Sequence, residues 1–241
     1  MKQIFGFQWF QTGRGELTKS GTYREFHPRN YWLPLLGLYT GARIRELCQI
    51  KLSDIRLHES GTWYIDINDT GTDGQSDNNK SLKNLASIRR VPLHPHLLNL
   101  GIIEWKDRLQ SEGFDRFFPE LSHDDIKGYG KGSTKWFGGF LATKFGWERD
   151  GRKTFHSFRH TLITKCMNEH SLPPHRLAQI TGHSRGNSVL TNTYTKDLEP
   201  DVLLKTVAEL DFGITEMVAK FDLDAGIQAL RDAINRQHKD K

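Results

Sequence analysis

The 241-residue sequence predicts an α+β fold, mainly helical, with a small antiparallel β-sheet. Two patterns predict it. Apolar residues recur at three- to four-residue intervals over most of the chain, whereas strict alternation is confined to two short runs within the first hundred residues. Composition agrees: 36% hydrophobic and 26% charged residues are ordinary for a globular chain, and no stretch approaches the roughly 20 consecutive apolar residues of a membrane-spanning helix.

The first core helix is expected from Pro28 to about Tyr39, where Trp32, Leu35, Leu36 and Tyr39 share one face; Pro34 fits only if it falls in the first turn. After the Thr40-Gly41 break, Ile44, Leu47 and Cys48 continue at helical spacing, which places Arg43 at a helix start. Residues 62–68 alternate Trp63, Ile65 and Ile67 with polar positions, residues 88–93 read as a second strand, and the two should pair. The Gly-, Asp- and Asn-rich run between them is a mobile loop that carries Lys83. Helical patterns follow over 97–111, 134–145, 157–169 and, opened by Pro173-Pro174, to Ile180, with Gly182 as the stop. Three further apolar stripes, 202–210, 214–221 and 227–234, make a helical tail. The division expected is a lead-in over 1–27, one main domain over 28–200 and the tail over 201–241.

Composition also excludes function classes. Cys48 and Cys166 both sit in apolar-patterned segments, so buried thiols in a reducing compartment are expected rather than a disulfide. The eleven histidines contain no metal-ligand spacing, and Gly128, Gly130 and Gly132 form no GxxxxGK(S/T) string and follow no strand, so no cofactor or metal is predicted. The N-terminus has no long apolar run before a cleavage site, which points to the cytoplasm. The net charge of +5 is compatible with a polyanionic partner.

Five short motifs hold residues with chemistry: TGARIREL (40–47), KSLKNLASIRRVPLHP (80–95), HSFRHT (156–161), TGHS (181–184) and TNTYTK (191–196). Taken singly, Arg43, Lys83, His156, Arg159, His183 and Tyr194 each have an ordinary explanation as surface or boundary residues. Taken together they look like one site for cutting a phosphodiester. Arg43 and Arg159 supply planar guanidiniums for nonbridging oxygens, and His156, three residues from Arg159 on one helix, is placed to accept a proton. Tyr194 supplies an oxygen nucleophile, whose pKa near 10 makes it dependent on neighbouring cations or a base. Lys83 is the acid for a departing 5′ oxygen, and His183 a hydrogen-bond donor.

In this order the motifs resemble the tyrosine recombinase (phage integrase) family, from about Asn30 through Thr195. The resemblance implies a catalytic domain with Arg43, Lys83, His156, Arg159 and His183 around a Tyr194 nucleophile. Lys83 is placed by counting back from Val91, with Lys80 in the same loop. It further implies site-specific recombination of double-stranded DNA through a 3′-phosphotyrosine, for integration or excision of a phage or mobile element, and a homo-tetramer on DNA. In such an assembly the terminal segment docks on a neighbouring copy, here through Ile227, Leu230 and Ile234. Family members also carry an N-terminal helical DNA-binding domain, for which the residues before Pro28 are too few. Supercoil relaxation of the type IB topoisomerase kind and DNA binding without cleavage are the competing readings; formation of a covalent protein–DNA adduct separates the enzymes from the binder.

Overall fold

The fold is built around α3 (Pro28–Thr40), in which Tyr31, Trp32, Leu33, Leu35, Leu36, Leu38 and Tyr39 are all at most 1% exposed. A helix apolar all round belongs inside a domain, and the other elements are laid on it. The computed structural model describes residues 1–71, 75, 77–84, 87–126, 128–169, 172–183 and 198–239. Pro34 lies in the interior of α3 rather than in its first turn. It removes one backbone donor, and the packing of aromatic and leucine side chains on every face holds the helix through it.

Residues 1–27 add short helices α1 (Lys2–Phe5) and α2 (Gln8–Thr12) and a hairpin, β1 (Glu16–Leu17) with β2 (Tyr23–Arg24). They are more than a lead-in, since Ile4, Phe5, Trp9 and Phe10 join the central core and the Phe10 ring lies 5.6 Å from that of Tyr31. Next come α4 (Ile44–Cys48) and a three-stranded antiparallel sheet in the order β3 (Ile55–Leu57), β4 (Trp63–Ile67), β5 (Arg89–Pro92). The pairing expected between 62–68 and 88–93 is present, with Ile65 opposite Val91 and Ile67 opposite Arg89. Strand β3 was not expected: only Ile55 of its three residues is buried, so it shows no alternation.

The 97–111 pattern divides at Gly101, with φ 91°, into α5 (Pro95–Asn99) and α6 (Ile102–Ser111). Helix α7 (Gly130–Phe145) starts before Thr134, because Gly130 lets its first turn lie against Arg45. Helix α8 (His156–Asn168) packs on α3 through a second close approach. A Cβ at Gly37 would stand 2.6 Å from the Phe155 ring, so the glycine admits the residue just before His156. Helix α9 (Pro174–Thr181) ends at Gly182, φ 70°, as expected.

The tail completes the same core. Helix α10 (Pro200–Val207) packs on β5, and α11 (Leu223–Lys239) packs on α6 and α3. Residues 214–221 do not form the expected helix; only Thr215–Met217 makes a 3₁₀ turn. The backbone beyond it is spent elsewhere: the amides of Ala219, Phe221 and Asp222 donate to the carbonyls of Phe10, Leu100 and Gly13, and the Tyr31 hydroxyl donates to the Ala219 carbonyl. Ile227 and Leu230 are buried in the chain's own core, and Ile234 packs against it partly buried. The stripe read as an interprotomer surface therefore faces inward here. Cys48 and Cys166 are both buried and unpaired, and among the described residues no helix is long and apolar enough to cross a membrane.

Candidate active site

The site begins where α3 stops. The Thr40 hydroxyl donates to the Leu36 carbonyl and accepts from the Ala42 amide, and Gly41 takes φ 61°. This turn delivers Arg43 to the N-terminus of α4, as its position in the sequence implies. There the Arg43 amide donates to Glu46 Oε2 at 2.9 Å, and its guanidinium reaches Glu46 Oε1 at 2.6 Å and Ser87 Oγ at 3.3 Å. Glu46 also accepts from Arg89 Nη2 at 2.9 Å. Burial acts against the charge of Glu46, but Arg89 and Arg43 together hold its carboxyl below the usual range.

Arg159, on α8 and only 1% exposed, reaches beneath this turn. Its Nη1 donates to the carbonyls of Gly41, at 2.8 Å, and Thr181, while Nη2 lies 3.0 Å from both ring nitrogens of His183. Burial, together with Arg43 and Arg89, pushes the Arg159 pKa down to about 10. His183 follows the left-handed Gly182, with Nδ1 2.9 Å from the Thr181 hydroxyl. That hydroxyl donates to the Leu177 carbonyl, so toward His183 it accepts, and Nδ1 carries the proton. Lost hydration, then Arg159, Arg43, His156 and Arg89, push the His183 pKa down to about 4. His156 opens α8, exposed, its ring 4.8 Å from that of His160; desolvation, His160 and the two arginines lower its pKa as well. Both imidazoles are neutral at pH 7.

Lys83 is exposed and lines a cavity of about 340 Å³ together with Arg43, Arg45, Glu46 and His156. Lys80 has a different place. Its Nζ is buried and lies 2.8 Å from both Asp54 carboxylate oxygens and from Asn68 Oδ1. With Ser81 N–H donating to Gln49 Oε1, this ties the loop read as mobile to the body just before Lys83. Tyr194 lies outside the described residues, as does Ser184. Beyond the segment that carries Tyr194, the Leu198 amide donates to Gln179 Oε1 on α9.

Three contributors lie inside the motifs without having been read as part of the site: Glu46, Arg89 and Thr181. For Glu46 and Thr181 the signal was charge or hydroxyl at positions patterned as buried. Arg89 alternates as an inward residue of β5, which is where a strand does not normally place an arginine.

A cavity walled by guanidiniums, a lysine and an imidazole, with the acidic Glu46 already paired, can hold an anion. The sequence model described as the phage integrase family matches residues 22–199, and the chain belongs to that family. It is a tyrosine recombinase-type catalytic domain, of the class that breaks and rejoins DNA. A search of curated proteins gives no match.

Proposed function

We propose that the protein is a site-specific recombinase in which Tyr194 attacks a DNA phosphodiester. The supporting observation is the gathering of Arg43, Lys83 and His156 on one cavity, with Arg159 bonded to the Gly41 carbonyl in the turn before Arg43 and lying against His183. The Tyr194 oxygen bonds to phosphorus as the bond to the 5′ oxygen breaks. His156, neutral, takes the phenol proton, and Lys83 gives a proton to the leaving 5′ oxygen. Arg43 and Arg159 bind the nonbridging oxygens, and His183 contributes a hydrogen bond once DNA displaces its present contacts. The phosphotyrosine keeps the bond energy, so a 5′ hydroxyl of a second strand reverses the step and exchanges the strands. The setting is integration or excision of a phage or mobile element, by a homo-tetramer on two duplex sites.

The test is a nicked duplex selected for binding, incubated with the protein and denatured. Wild type is expected to give a covalent protein–DNA band, and Tyr194→Phe to bind the duplex equally and give none. A band from Tyr194→Phe would remove Tyr194 as nucleophile. His183→Trp, which keeps a donor without a base, is expected to retain cleavage; its loss would assign His183 to proton transfer instead.

A further inference from the structure

We propose that Arg89 is the positioning residue that presents both Arg43 and His183 to the phosphate, an assignment that rests on the recombinase reading above. The Arg89 side chain is 5% exposed and does not line the cavity with Arg43 and Lys83, so it acts through others. Its guanidinium joins three segments. Nη2 donates to Glu46 Oε2 at 2.9 Å, Nε to the Ile180 carbonyl at 2.8 Å, and Nη1 to the Ser87 carbonyl at 2.7 Å.

On one side the link runs through Glu46 to Arg43. Glu46 is a buried carboxylate shared by two guanidiniums, and Arg89 satisfies the part of its charge that Arg43 would otherwise neutralise. With Arg89 in place, Arg43 keeps positive charge for a substrate. On the other side the link runs to the end of α9. A Cβ on Gly182 would stand 2.7 Å from Arg89 Nη1, so the turn into His183 is laid directly on the guanidinium. Glycine is needed there twice over, for φ 70° and for this approach. A lysine offers one compact donor centre and cannot span acceptors on three segments.

The 241-residue chain carries the test, in Arg89→Lys and Arg89→Gln, each checked for a cooperative thermal transition. With saturating protein and a nicked duplex, both variants are expected to bind DNA within about twofold of wild type while single-turnover cleavage falls about 10- to 100-fold, the usual cost of losing a residue that orients catalytic groups. Adding Glu46→Gln to Arg89→Gln is expected to recover part of the loss, since it removes the carboxylate that then captures Arg43; additive losses would mean a merely structural role. The His183 ring, followed by NMR without DNA, should titrate at higher pH in Arg89→Gln. A folded Arg89→Lys that cleaves at the wild-type rate, or a His183 ring that titrates unchanged in Arg89→Gln, overturns the proposal. Should wild type form no adduct, the recombinase reading fails, and the ring titration alone still decides whether Arg89 holds His183. If Arg89→Gln does not fold, Arg89→Lys carries the same comparison.

Discussion

Two lysines three residues apart in one loop have opposite fates, and the difference is measurable. Lys80 is buried against Asp54 and Asn68, so Lys80→Met leaves an uncompensated carboxylate and is expected to cost about 3–5 kcal/mol of stability, read from denaturant unfolding. Lys83 is exposed on the cavity wall, so Lys83→Ala is expected to change stability by less than about 0.5 kcal/mol while suppressing cleavage. Replacing the 5′ bridging oxygen of the substrate by sulfur, which departs without a proton, should restore that cleavage; a substrate indifferent to the change would remove Lys83 as the acid. At this scale the sequence was legible wherever a reactive residue sat in a motif of its own. It was silent on Arg89, because nothing in the string RRVP says which arginine turns inward. The pairing of Arg89 with Glu46 across 43 residues is a property of the fold.

Helices with a single apolar stripe or a glycine stop, such as α8 and α9, were legible from spacing. Strand β3 and the segment 214–221 were not, and for different reasons. Strand β3 is short, with one buried residue, and exists because β4 offers it an edge. The segment 214–221 has helical spacing yet is extended past Met217, because its amides are claimed by Phe10, Leu100 and Gly13. The seating of α8 on α3 yields a prediction at this scale. Gly37→Ala would gain helix propensity in α3 but drive a methyl group to 2.6 Å from the Phe155 ring. The net expectation is a loss of about 1–3 kcal/mol, with slower cleavage because the ring precedes His156. An unchanged melting temperature would show that Phe155 yields without moving α8.

For the molecule as a whole, the histidines lowered furthest are His27, His94 and His183. Burial, with Arg29 and Arg236, lowers His27 to about 3; burial, with His96, lowers His94 to about 4; His183 is at about 4 for the reasons given above. A folded pKa below the unfolded value means that unfolding takes up protons, so stability is highest above about pH 6.5 and is lost as pH falls from there toward 4. Glu120, raised by burial, works in the opposite sense over part of that range. The melting temperature is expected to drop from pH 7 to pH 5, and less steeply in His94→Gln; equal slopes would place the proton uptake elsewhere. Arginine and lysine contacts to phosphates should also make DNA affinity fall steeply with salt, which a titration of binding against salt concentration checks. Finally, the first fourteen residues and residues 219–222 close on each other, amide to carbonyl, across almost the whole chain. During synthesis, then, these backbone bonds can close only once residue 222 has left the ribosome, whereas the rings of Phe10 and Phe5 find Tyr31 and Phe158 earlier. Any arrest of translation before that point leaves the two ends of the chain unjoined.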